Sequence, residues 1–270
     1  MSAPGPAGRS HPEPSPADPA KPLAGRAALV TGAGQGVGQG IALALADAGA
    51  DVVVAGRTLS KVVDTADLIN GRGGHAVALE CDVADPEQVT RTVDATVEAL
   101  GGLQILVNNA QWAPMGKLLD VTDKAFDLGF RTGPLAVLRF MRAAHEHLRD
   151  GGVIVNLGSG SALRPDPVGL GAYAAVKDAI CVMTRAAAVE WGPDGIRANT
   201  ILPFAQSPGM DWYEEHVPDQ YEQVLSEVPL GRVGDCELDI GRAVVFLCSP
   251  AASYMTGSSL MLDGGQTYLR

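Results

Sequence analysis

The stretch that most limits the fold is 27–48. Ala27-Ala28-Leu29-Val30 is a short apolar run of the kind that forms a buried strand. It passes directly into Thr31-Gly32-Ala33-Gly34-Gln35-Gly36-Val37-Gly38, and a helical pattern follows over 39–48. Strand, glycine turn and helix in this order form a cradle for a pyrophosphate. Glycines let the backbone approach the phosphates, and the helix start turns free N–H groups and positive potential toward them. The same pattern also fits a plain tight turn, so the rest of the chain has to decide.

Apolar runs over 51–55, 76–80, 103–107, 153–157, 196–202 and 258–262 alternate with helical stretches, clearest over 60–70 and from Pro86 to about Leu100. Asp85-Pro86-Glu87-Gln88 reads as a helix start, with an acid at the cap, proline at the first position and Gln at the third. Strands alternating with helices require a parallel sheet covered on both faces. The expected fold class is therefore α/β, one doubly wound parallel sheet of about seven strands with helices on both sides. At 270 residues with 46% apolar content the chain can bury one such core. Polar and glycine residues close the strands at their carboxyl ends, where sheets of this kind bind ligands.

Residues 1–22 are rich in Pro, Ala, Ser and Gly and predict a disordered tail ahead of a domain over 23–270. They lack the apolar segment of a secretory signal, and the prolines with Glu13 and Asp18 argue against a transit peptide. The formal charge of −11 argues against nucleic acid or an anionic membrane as partner. An anionic cofactor needs only a local positive site. No apolar run approaches the length of a membrane helix. Cys81, Cys181, Cys236 and Cys248 are scattered without a CxxC pair, which suits reduced structural thiols in a cytoplasmic protein. His145 and His147 stand two apart and do not share a helix face, and His75 and His216 have no partner spacing, so no metal is expected.

Tyr173-Ala174-Ala175-Val176-Lys177 carries the chemistry. A spacing of four puts phenol and ammonium one turn apart on one helix face. A free Tyr titrates near about 10, and a cation beside it favours the phenolate. The pair can thus give or take a proton at a carbonyl or alcohol oxygen, although the spacing alone is common on helix surfaces. A second reading concerns Gly56-Arg57 at the end of the second strand. An acid there would accept from the 2′-OH of NAD, whereas Arg suits the 2′-phosphate of NADP. This favours NADP(H) over NAD(H), although Gln35 brings no second cation and Arg57 also fits a solvated loop residue.

Several separate motifs agree with one another. They are TGAGQGVG at 31–38, the Asp82 turn, NNA at 108–110, a Ser ahead of YxxxK, Pro203 after a strand, and YMTGSSLMLDGG at 254–265. Together they resemble the short-chain dehydrogenase/reductase family, over about Arg26 to Gly265. The resemblance implies a single Rossmann-like domain transferring hydride between a nicotinamide cofactor and a carbonyl/alcohol pair. It places Gly32, Gln35, Gly36, Val37 and Gly38 at the pyrophosphate, Asp82 and Val83 at adenine, and Arg57 at the ribose. Asn109, Ala110 and Pro203 complete the cofactor contacts, with Asn108 on the adenosine side or supporting its strand. Tyr173 would move the proton, Lys177 would bind the nicotinamide ribose and lower the Tyr pKa, and Ser159 would hold the substrate oxygen, with Ser161 as its substitute. In similar proteins the Tyr/Lys helix joins a subunit interface, which implies a homotetramer, with a homodimer next.

Two positions depart from the family pattern. Gln111 replaces the glycine that usually ends NNAG, which puts a side chain near the expected nicotinamide and substrate. The family's catalytic Asn falls on Gly133, followed by Pro134. Pro134 has no N–H for the Phe130 carbonyl and bends a helix, so the pair is expected to remake a kink and expose a carbonyl to a relay water. Residues 204–229, with Met210, Trp212, Tyr213, His216 and Tyr221, are expected to be a lid over the substrate, the alternative being a helix pair packed on the body. Their aromatic content hints at a cyclic or apolar substrate. Besides a ketone reductase or alcohol dehydrogenase, the sequence leaves open a non-redox isomerase, epimerase or cyclase, and a dinucleotide sensor without catalysis.

Overall fold

A computed structural model describes residues 20–164 and 169–267. Most of the expected tail, 1–19, lies outside the described residues. Leu23 is fully buried and donates its N–H to the Ala48 carbonyl at 3.0 Å.

The strands are β1 (Ala27–Thr31), β2 (Asp51–Gly56), β3 (His75–Glu80), β4 (Ile105–Asn108), β5 (Val153–Leu157), β6 (Arg197–Pro203) and β7 (Ser259–Leu262). They form one seven-stranded parallel sheet in the order β3-β2-β1-β4-β5-β6-β7. Successive strand residues face opposite layers. Ala28, Val30, Val52, Val54, Ile105 and Val107 join one core cluster, and Leu29, Val53, Leu106 and Ile154 join the other. Both faces are therefore dry, which is why these strands read as continuous apolar runs.

The first core layer is completed by α1 (Gly36–Asp47), α2 (Leu59–Gly71) and α9 (Arg242–Cys248), through residues such as Ile41, Ile69 and Leu247. The second is completed by α3 (Pro86–Leu100), α5 (Pro134–Leu148) and α6 (Gly171–Trp191), through Val93, Phe140 and Ile180. The start of α3 is built as its sequence predicts. Asp85 accepts from the Glu87 and Gln88 N–H groups at 2.9 and 3.2 Å, and the Gln88 amide returns to its carboxylate at 2.9 Å.

The expected kink is present. α4 (Asp123–Thr132) stops at Gly133, whose φ of −97° and ψ of −105° leave the helical region, and α5 restarts at Pro134. The segment after β6 forms α7 (Pro208–His216) and α8 (Pro218–Ser226), and neither helix has a buried residue. The two hold each other, with the Tyr213 hydroxyl donating to Gln220 at 2.9 Å, and the Trp212 ring stacked on His216 rather than turned toward the body. Tyr213, Tyr221, Val224 and Leu225 are half-buried.

Candidate active site

The strand order changes direction between β1 and β4, which opens a crevice at their carboxyl ends. The glycine turn lines it. Gly32 and Gly36 have φ of +65° and +58°, in the left-handed region that favours glycine. Gly38 is required by space: a Cβ there would stand 2.3 Å from the Asn109 side chain and 2.4 Å from the Gly32 carbonyl. The N–H groups of Gly36, Val37 and Gly38 begin α1, where helix geometry gives them no intrahelical acceptor, and no acid sits in that first turn. A bare, N–H-lined turn at a helix start fits a pyrophosphate.

Asn109 braces this turn. Its side-chain amide donates to the Thr31 and Gly32 carbonyls, both at 3.0 Å, and its own N–H reaches Thr31 Oγ1. Asn108 points elsewhere, into a buried polar chain in which it donates to Asn156 at 2.8 Å and Asn156 donates to Thr184 at 2.9 Å. Asn108 therefore ties β4 to β5 and α6, a supporting role. Ala110 flanks the crevice, donating its N–H to Thr31 Oγ1 at 3.1 Å. Asp82 accepts the Ala84 N–H at 3.0 Å at the end of β3, and Val83 is buried beside it in the second core layer. Pro203 closes β6 opposite Leu262.

Arg57 is exposed directly after β2. A second cation that the sequence reading missed joins it. Lys61, in the first turn of α2, donates its ammonium to the Gln35 side chain, and its Cβ would be 2.8 Å from a Cβ on Gly34. Lys61 thus lies against the glycine turn, four residues after Arg57. No sequence signal pointed to it, because Arg57 precedes the helix that carries Lys61.

On the other side of the crevice, α6 carries Tyr173 and Lys177. Lys177 is 5% exposed, donates to the Leu157 carbonyl at 2.8 Å, and stands 5.7 Å from the centre of the Tyr173 ring. Burial lowers its ammonium to about 8, with nearby Cys181 opposing. Burial also pushes the Tyr173 phenol above its ordinary value, and the hydrogen bond with Ser159 pulls it partly back. In this structure desolvation therefore outweighs the cation whose influence on the phenol the spacing predicts. Between the two candidate serines the geometry favours Ser159. Its hydroxyl meets the phenol and accepts the Ser161 N–H at 3.2 Å, so Ser161 supports that loop.

Gly133 and Gln111 meet beneath this pair. A Cβ on Gly133 would stand 2.7 Å from Val176 Cγ1, between Tyr173 and Lys177 on α6, and 3.5 Å from Gln111 Cδ. Ser207 and Pro208, which open α7, lie 3.5 Å from a Cβ placed on Gly36, so the segment over 204–229 starts at the edge of the cradle. His145 lies apart from this site. His145 bonds Asp194 at 3.1 Å and packs edge-on against Trp191. Among the described residues no three His, Cys, Asp or Glu side chains gather as metal ligands.

Comparison with known proteins agrees with this layout. A family model described as enoyl-(acyl carrier protein) reductase matches residues 32–267. A 12alpha-hydroxysteroid dehydrogenase from a Clostridium species is 37% identical over 250 residues, covering 89% of this chain and 96% of its own. Versicolorin reductase stcU of Emericella nidulans is 35% identical over 257 residues, covering 90% and 96%. The crystal structure of a short chain dehydrogenase from Burkholderia cenocepacia, in complex with NADP, superposes with a TM-score of 0.84 at 34% identity, covering 90% of this chain and 98% of that one.

Proposed function

We propose, from the premise that this chain belongs to the short-chain dehydrogenase/reductase family and is an oxidoreductase moving hydride between a nicotinamide dinucleotide and a carbonyl/alcohol pair, that it is an NADP(H)-dependent ketone reductase or alcohol dehydrogenase with Tyr173 as its proton donor and acceptor. The observation that carries this reading is the half-buried Tyr173, bonded to Ser159, with the buried Lys177 beside its ring at the crevice edge.

The bound nicotinamide supplies or accepts the hydride. In the reducing direction Ser159 holds the substrate oxygen, and Tyr173 gives its hydroxyl proton to that oxygen as charge develops there. Lys177 stabilises the phenolate that remains. Gly32, Gly36 and Gly38 leave room for the pyrophosphate, and Asp82 and Val83 would border adenine. Arg57 and Lys61 favour NADP(H): two exposed cations flank the turn where a 2′-phosphate would lie, and no acid replaces Gly56.

The substrate is an apolar, ring-containing alcohol or ketone. Leu118 and Leu163 are exposed on the loops flanking Tyr173, and Leu118 lies 3.1 Å from a Cβ placed on Gly171. The steroid substrate in the name of the Clostridium relative is of this class. Residues 204–229 act as its lid. Val182 and Val189 are exposed on α6 and support a homotetramer, with a homodimer as the alternative. Four unpaired cysteines fit a reducing cytoplasmic setting, and no helix among the described residues is long and apolar enough to cross a membrane.

The test is NADPH oxidation, followed by absorbance, against a panel of cyclic and aromatic ketones. Tyr173→Phe is expected to lower turnover by at least about a hundredfold, as loss of acid–base assistance does, and to leave NADPH affinity nearly unchanged. Full turnover in the variant would remove Tyr173 from the reaction.

A further inference from the structure

Gln111 follows β4 and is pinned in place by its neighbour. The Trp112 N–H donates to Thr132 Oγ1 at 3.1 Å, and that hydroxyl donates to the Leu128 carbonyl at 2.8 Å, so the chain after Gln111 is tied to the last turn of α4. This directs the side chain at Gly133, with Cδ 3.5 Å from where a Cβ on that residue would stand. Both Gln111 Oε1 and Nε2 are buried, and neither has a hydrogen-bond partner among the described residues. A carboxamide offers two N–H donors and an oxygen with two lone pairs. Leaving all of them dry and unpaired is strongly unfavourable, so such a group marks a place built to bind something polar.

Two features beside it define that place. Pro134 brings no N–H to the Phe130 carbonyl, which leaves an acceptor at the kink. Lys177 spends one of its three N–H groups on the Leu157 carbonyl, on the turn of α6 whose Val176 packs against Gly133. The amide lies against Gly133, the freed carbonyl stands three residues earlier on α4, and the ammonium belongs to the residue after Val176; a single water needs two to four polar partners, and these are the candidates. Position 133 cannot supply the amide itself, because any Cβ there would stand 2.7 Å from Val176 Cγ1 and 2.8 Å from the Gly129 carbonyl.

We propose that Gln111 is a positioning residue that delivers, from the end of β4, the carboxamide that position 133 has no room to carry, and that it holds the water through which Lys177 and Tyr173 recover a proton. This rests on the reductase reading above. When Tyr173 gives its proton to the substrate oxygen, the phenolate takes one back through Lys177 and this water, and no bond to carbon is involved.

Two measurements test it. A crystal structure of the wild-type NADPH complex is expected to show an ordered water bonded to the Gln111 amide and to Lys177. An amide bonded instead to the nicotinamide, or turned to solvent, would overturn the assignment. The second measurement uses Gln111→Met, which keeps length and removes polarity. Its kcat is expected to fall about ten- to a hundredfold, part of what acid–base assistance supplies, with KM and NADPH affinity within about twofold. Added imidazole, a small proton carrier, should restore part of that loss. Unchanged kcat, a loss confined to KM or NADPH affinity, or no rescue by imidazole would each overturn the proposal. If the wild type turns over no ketone, the reductase reading has failed on its own, and the crystallographic water alone decides the role of Gln111.

Discussion

Arg57 and Lys61 make the sharpest residue-scale contrast. If both face a 2′-phosphate, Arg57→Ala and Lys61→Ala should each weaken NADPH by about tenfold or more, as loss of a charge-assisted contact does, and leave NADH nearly untouched. Fluorescence titration of the two cofactors checks this, and equal losses would remove the basis for NADP(H). Lys177 gives a second prediction, in pH. Its folded value is about 8 and its ordinary value 10.5. Between those limits the unfolded chain holds a proton that the folded one lacks, so this group's contribution to stability rises with pH, and below about 8 its penalty is present in full. That penalty is about 3 kcal/mol. Tyr173, Cys181 and Cys248, all raised by burial, pull the other way at alkaline pH, so the difference between parent and variant is the readout. Thermal melts should find Lys177→Met more stable than the parent at pH 7 and the gap closing toward pH 10. At this scale Tyr173, Lys177, Ser159 and the glycine turn were legible because a short motif encodes them. Lys61 was not singled out, because its partner Gln35 lies on a different element.

At the scale of elements, the strands fall close to where apolar runs predict them, since burial on both faces leaves one pattern per strand. Contacts between elements were harder to read. The close seating of α1 on the π-helical turn Cys236–Gly241 depends on Gly40, where a Cβ would stand 2.3 Å from the Cys236 backbone, and nothing near Gly40 in sequence announces that partner. The pair α7 and α8 makes a third prediction. With no buried residue in either helix, their opening should cost little compared with the core. Within the folded domain, limited proteolysis should cut within 208–226 before any core helix, and NADPH should slow that cut if the segment closes over the cradle. Fragment masses with and without NADPH are the measurement, and early cuts in α1 or α6 would contradict it.

At the scale of the whole molecule, the described residues form a single sheet whose two core layers share every central strand. Such a domain should melt in one cooperative step. NADPH at about a hundred times its dissociation constant should add about 2.7 kcal/mol, which raises the melting temperature by roughly 5–10 °C for a domain of this size. Calorimetry with graded NADPH checks both points, and two resolved transitions would divide the core. One feature of the site also bears on how such a chain can change. The carboxamide at Gln111 rests in van der Waals range of the bare backbone at Gly133. Restoring a side chain at 133 alone meets Val176 and the Gly129 carbonyl, while removing Gln111 alone leaves a hole beside Gly133. The step back at 133 is therefore blocked whatever stands at 111, and the step at 111 costs activity. The arrangement behaves as an evolutionary ratchet, and lineages that share it should carry the Gln, Gly and Pro as one inherited unit.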